Sequence, residues 1–266
     1  MKRISLVVLF SLFASLLLAQ TIELSESELK NQLDSVLREG NLLYRYEKST
    51  WLSTDLAHAN PVIKSEMYSY ITYEEEGEIR TVILDKTPVC IAEYAFENDF
   101  DKPKYAKTEK RELSGKEKAL IGIRDKLLQN ISNRKYEVIV PEGYNLNFIL
   151  LPHADKYKFY VITGTSQDNV IPFGNDYIFF ADKNGEIENW HKFHSRLIPG
   201  YIMEEGKKVA EVIHSHLKTT PLITATDICT FMLYAPFYDI DTFSVISPAI
   251  GKYMKYSLKD NKITVE

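Results

Sequence analysis

Apolar and polar positions alternate along this chain with two periods, and the period changes near residue 133. From Ser25 onward, Leu29, Leu33, Val36, Leu37 and Leu43 recur every three or four residues among Glu, Lys, Asp and Arg, predicting an amphipathic helix. Ser25 with Glu28 is a capping-box start. A second short helix is expected from Lys48 to His58, ahead of Pro61. Met67–Tyr73 and Ile79–Leu84 flank Glu74-Glu75-Glu76-Gly77 as a hairpin, and Pro88–Phe96 is a further strand. The charged stretch Asp99–Glu112 reads as a loop, and a helix follows from Lys116 to Ile131 with Leu120, Ile123, Leu127 and Ile131 on one face.

Beyond Asn133 the period is that of strands: Tyr136–Val140, Leu146–Leu151, Tyr157–Thr163, Tyr177–Ala181, Ile187–Phe193 and Val209–His214. Asp182-Lys183-Asn184-Gly185 predicts a tight turn, because Asn-Gly takes positive φ readily. Ala225–Leu233 is expected as a helix, then Phe243–Ser247 and Tyr253–Ser257 as paired strands, with a last short strand after Asp260-Asn261. The expected class is α+β, with a helix-rich N-terminal half and a sheet-rich C-terminal half. The divisions expected are a leader over 1–19, an α+β region over 20–133 and a C-terminal domain over 134–266.

The leader changes the picture of where the protein works. Lys2 and Arg3 precede an apolar run from Ile4 to Ala19, the composition of a secretory signal peptide. The run is shorter than the roughly 20 residues that span a bilayer. Cleavage after Ala19 predicts an exported chain, periplasmic or extracellular, with no membrane span remaining. The formal charge is −5 from 32 basic and 37 acidic residues, and losing Lys2 and Arg3 takes it to −7. Without long basic runs, nucleic acid is excluded as the expected partner. Two cysteines, Cys90 and Cys229, are too few for a disulfide framework; they fit either one pair or two buried thiols.

Candidate chemistry gathers near the C-terminus. On a strand running from Val209, His214 and His216 are two residues apart and share a face, so both imidazoles can converge on one ion. Asp227, near the start of the following helix, is a candidate third ligand. Two His, one Asp and an open position describe a catalytic type of zinc site. Thr224-x-x-Asp227 is equally a helix-capping pattern. His191 and His194, three apart, point to opposite strand faces and read as surface or packing residues; His58 and His153 lie in or near turns.

His214-x-His216, seven residues, Thr224, two residues, Asp227 resembles the signature of the JAMM/MPN (JAB) metalloprotease family, in which serine stands where this chain has Thr224. The resemblance covers about residues 169–266. It implies a mixed-sheet JAMM-like domain, Zn²⁺ on His214, His216 and Asp227, and Thr224 as the hydroxyl that stabilises the oxyanion. It further implies hydrolysis of peptide or isopeptide bonds, with a protein or peptide as substrate. Two features depart from the family: Leu217 replaces the proline after the second histidine, and no glutamate sits in the context of the family's water-activating residue. Asp176, opening a strand in Gly174-Asn175-Asp176-Tyr177, is the candidate substitute, with Glu142 as an alternative. Without that acid, the chain reads as a non-catalytic JAMM-like binding module.

Overall fold

The structure, a computed structural model, describes residues 22–132 and 136–266; the expected leader lies outside the described residues. The fold is α+β. It opens with one long helix, α1 (Glu26–Ala59), closed at its start by reciprocal Ser25 and Glu28 contacts. The two helices expected before Pro61 are this single element. Gly40 in its middle weakens helix propensity, yet packing requires it: an added Cβ would sit 2.8 Å from the side chain of Ile228. Pro61 instead begins a second, one-turn-and-a-half helix, α2 (Pro61–Glu66), with its free amide-less nitrogen at the first turn where no partner is needed.

An antiparallel sheet follows in the order β1 (Ser69–Glu75), β2 (Glu78–Leu84), β3 (Cys90–Phe96) and β4 (Tyr105–Lys107). β4 falls inside the stretch expected as a loop; it is a three-residue edge strand, too short to leave a periodic signal. Helix α3 (Gly115–Ser132) matches its expected span within a residue. The expected strand at Tyr136–Val140 is absent. Glu137 has a positive φ of 53°, which breaks an extended run, while Ile139 and Val140 face solvent.

The second half contains β5 (Asn145–His153), β6 (Lys156–Gly164), β7 (Val170–Gly174), β8 (Tyr177–Ala181), β9 (Ile187–Lys192) and β10 (Leu197–Tyr201). β5, β6, β8 and β9 form one antiparallel sheet, and β7 pairs with β10 alone. A small hairpin, β11 (Met203–Glu204) and β12 (Lys207–Lys208), leads to β13 (Val212–Ser215). β13, helix α4 (Ala225–Tyr238) and β14 (Thr242–Ser247) make a crossover unit in which β13 and β14 are parallel. β15 (Lys252–Ser257) and β16 (Lys262–Val265) extend that sheet antiparallel. β7, β10, β11 and β12 were not legible in the hydrophobic pattern, β7 and β10 because Pro172 and Pro199 interrupt a strand reading.

Two large cores hold these layers together, and both draw residues from either side of residue 134. One joins Leu33, Leu43 and Tyr46 of α1 to Ile228 and Phe231 of α4 and to Phe173, Phe243 and Tyr256 beneath. The other joins Leu120, Ile123 and Leu127 of α3 to Phe159, Tyr177 and Phe179 of the central sheet. α4 is therefore clamped between α1 and its own sheet, which fixes where its N-terminus points.

Candidate metal centre

Four buried side chains converge where β13 ends and α4 begins: His194, His214, His216 and Asp227. His214 and His216 arrive as the period of two requires, His214 on β13 and His216 one residue past it, where its amide donates to the Ile246 carbonyl at 2.9 Å. Asp227 arrives through the cap of α4. The Thr224 hydroxyl accepts from the Asp227 amide at 3.1 Å and donates to Asp227 Oδ2 at 2.7 Å, and the Thr224 amide donates to the same oxygen at 2.9 Å. The carboxylate is also favoured by the positive end of the helix dipole. Its other oxygen, Oδ1, is left for the cluster.

His194 corrects the expectation that it is a surface or packing residue. β9 stops at Lys192, so strand alternation no longer governs residue 194, which sits in the bend leading to β10. Only 2% of it is exposed. The bend is pulled inward by the turn at Gly174-Asn175, both at positive φ, where the Asn175 amide donates to the Arg196 carbonyl at 3.0 Å. A Cβ at Gly174 would fall 2.4 Å from that carbonyl oxygen, so only glycine allows the approach. His191 behaves differently, meeting the Thr220 hydroxyl at 2.8 Å outside the cluster.

The donor atoms have the spacing of a coordination polyhedron. His194 Nε2 lies 2.9 Å from His216 Nε2, and His214 Nε2 lies 3.0 Å from it. Asp227 Oδ1 is 3.5 Å from His194 Nε2 and 3.4 Å from His214 Nε2, and Asp227 Oδ2 is 3.2 Å from His216 Nε2. Four ligands at about 2.0–2.1 Å from a tetrahedral centre are separated by about 3.3 Å. Buried Asp227 Oδ1 has no hydrogen-bond partner among the described residues. An orphaned buried acceptor of this kind costs about 1–3 kcal/mol, and more when charged.

Proton bookkeeping sharpens the point. His216 Nδ1 is 2.7 Å from the Leu222 carbonyl, which only accepts, so that nitrogen carries hydrogen. His194 Nδ1 likewise donates to Asp176 Oδ1 at 2.7 Å. When both rings are neutral, their Nε2 lone pairs face one another at 2.9 Å, an arrangement that repels unless a proton or a metal ion lies among them. The remaining imidazole, His214, has no partner for Nδ1 among the described residues and is held by rings instead, with Phe173 at 5.0 Å and Phe243 at 6.2 Å between centroids.

Electrostatics point the same way. Burial disfavours a charged His194, but the Asp176 and Asp227 carboxylates outweigh it and push the ring up to about 9. Burial pulls His214 down, aided by the neighbouring imidazoles against the attraction of Asp227. Asp227 is opposed by burial too, yet the three imidazoles hold it well below the usual carboxylate range. The cluster therefore calls for positive charge at its centre. One divalent cation would balance Asp227 and Asp176 to zero net charge, the arrangement that burial tolerates best.

The protein thus contains a buried group of three histidines and one aspartate that could hold a metal ion. Compared with known proteins, the chain matches no family model, no curated protein and no solved structure.

Asp176 lies behind the cluster. Its Oδ1 accepts from His194 Nδ1 and its Oδ2 takes the Thr226 hydroxyl. Both oxygens are engaged on the far side of the His194 ring from Nε2, in place of the expected position over a metal-bound water. Glu142 is exposed, in the turn where the Tyr144 amide meets the Pro141 carbonyl. Thr224 is 4% exposed and spends its hydroxyl proton on Asp227. A groove of about 430 Å³ runs past Thr224, Leu222 and His191 without being lined by the four donor residues. The two cysteines are unpaired and buried, Cys90 on β3 and Cys229 on α4.

Proposed function

We propose that this protein is an exported, JAMM-like metalloprotein that holds Zn²⁺ with four of its own side chains and acts as a binding module rather than a hydrolase. The observation that carries this reading is the 2.9 Å approach of His194 Nε2 to His216 Nε2, with both Nδ1 atoms already committed to acceptors. Three imidazoles and a carboxylate oxygen at tetrahedral spacing suit zinc, a borderline ion content with mixed nitrogen and oxygen donors. His194 takes the fourth position, which in a catalytic zinc site belongs to water. Asp176 then serves to orient His194 and raise its basicity.

Zinc in this role ties together three separate stretches: the bend after β9, the end of β13 and the first turn of α4. The groove beside Thr224 and Leu222 adjoins that tie, and a protein or peptide partner is the class of ligand expected there. The zinc-dependent peptidase reading is supported by the His-x-His…Asp spacing and by the Thr224 hydroxyl. It requires His194 to withdraw and leave an open position.

Elemental analysis of the purified full chain should find about one zinc. Cobalt substitution then separates the two readings. A closed four-ligand centre gives a visible spectrum that does not change from pH 6 to 9, whereas a metal-bound water titrates near pH 7 and shifts it. Absence of any transition metal, after growth with zinc, iron, manganese and copper supplied, overturns both.

A further inference from the structure

Away from the metal cluster, Glu47 is a titratable group buried with no cation paired to it among the described residues. It lies in the middle of α1, 2% exposed. Its Oε1 accepts from the Trp51 indole at 2.7 Å, and its Oε2 has no hydrogen-bond partner among the described residues. The titratable groups that act on it, or feel it, are Cys229 and Tyr234 from α4 and Tyr70 from β1. None of these is a cation, and Glu47 forms no ion pair among the described residues. Arg124 from α3 acts on Tyr70, and its guanidinium is spent on the Tyr70 carbonyl and Asp125.

Charge here cannot be accommodated as it is elsewhere in the molecule. A carboxylate buried without a cation and with one neutral hydrogen bond is the arrangement that desolvation penalises most. A neutral carboxylic acid is tolerated better: its carbonyl oxygen keeps the Trp51 hydrogen bond, and an unpartnered hydroxyl at Oε2 costs far less than an unpaired charge. We propose that Glu47 is a proton-operated latch between α1 and α4: protonated, it lies within their interface, and on ionisation it must draw water in and loosen their contact around Trp51. Burial pushes the Glu47 carboxyl up to about 7, only partly countered by the Trp51 hydrogen bond, which places the switch near neutrality.

The consequences reach two places. Trp51 packs edge-on against Tyr234 at 5.2 Å, and both line a surface groove with Asn145, Asn147 and Thr165. α4 also carries Asp227 in its first turn, so the same interface positions a side chain of the metal cluster.

The sign follows from the two states of the chain. The unfolded carboxyl titrates near its ordinary 4.5 and the folded one near 7. Stability from this group is complete below pH 4.5, falls as pH rises between those values and levels off above 7. Zinc-supplemented wild-type protein and Glu47→Gln should therefore diverge in urea unfolding. The wild-type unfolding constant, relative to the variant, should rise about 40-fold from pH 5 to pH 7. Wild-type tryptophan emission should also change with a midpoint near 7, and the change should vanish in Glu47→Gln. If the variant fails to fold, infrared spectroscopy of the wild type decides alone, because a carboxylic acid C=O band should persist at pH 6 and disappear by pH 8. A flat ratio, the same emission change in both proteins, or no acid band at pH 6 overturns the latch.

Discussion

Two buried charged clusters in this molecule are built from similar groups and behave oppositely. In the first half, Arg111 reaches from the loop before α3 into the space between Glu93 of β3 and Glu117 of α3. Its Nη2 donates to Glu93 Oε2 at 2.6 Å and to Glu117 Oε1 at 2.7 Å, and its Nη1 donates to Glu117 Oε2 at 2.9 Å. The Ser114 amide and the Tyr73 hydroxyl complete Glu117, and the Tyr105 hydroxyl completes Glu93. Each carboxylate oxygen there has a donor. In the second half, three imidazoles and Asp227 converge with one Asp227 oxygen orphaned among the described residues and two imidazole Nε2 atoms 2.9 Å apart. A buried polar cluster that satisfies itself is a structural joint; one that leaves its acceptors aimed at a common point could hold a cation.

The largest test of that contrast is chelation. Zinc held at a free concentration about 1,000-fold above its dissociation constant stabilises the folded state by about 4 kcal/mol. Stripping it should lower the thermal midpoint by roughly 10 °C for a chain of this size, and restoring zinc should recover it. Calorimetry with and without EDTA measures this, and a midpoint indifferent to chelation would reduce the cluster to a packing feature.

Removing the cation of the other cluster comes next. Arg111→Met leaves Glu93 and Glu117 unpaired and should cost about 3 kcal/mol, the low end for a broken buried pair because the Arg111 side chain is 35% exposed. That loss should not respond to EDTA or zinc. Burial opposes a charged Glu117, but Arg111, the Ser114 amide and Tyr73 prevail and hold it at about 2. Its contribution is therefore present above about pH 4.5 and lost as pH falls towards 2. Urea unfolding of the variant and the wild type from pH 3 to 7 should show the difference narrowing on acidification.

The smallest effect sharpens the role of Asp176. Asp176→Asn keeps an acceptor for His194 Nδ1 but removes its charge, and should weaken zinc by about tenfold, the mild end of such changes. Competition with a chromophoric chelator reads this directly. Retained zinc affinity would mean that His194 needs no orientation by Asp176.

Much of the site was legible because local rules govern it. His214 and His216 share a face by strand period, and Asp227 is placed by the capping box that Thr224 opens. His194 was not legible, because strand alternation continued from His191 turns it away, and nothing local in the sequence marks the end of β9 at Lys192. Asp176 was singled out for its place before β8, yet its partner could not be foreseen: His194 is 18 residues away and reaches it only through the turn at Gly174-Asn175. The same holds for the fold. Tyr177–Ala181 emerged as β8 with the bounds its alternation predicts, while β4 at three residues and the proline-bearing β7 and β10 left no periodic trace.

The amino-acid order by itself determined α3, the start of α1, most strands and three converging donors, because period, capping and turn chemistry act over a few residues. Only the tertiary structure decided that α1 runs unbroken against α4, since Gly40 is favourable there only when Ile228 arrives to fill its space. It alone also decided that a fourth donor closes the cluster. Contact between the bend after β9 and the end of β13 is a property of packed sheets, and no spacing within either segment encodes it.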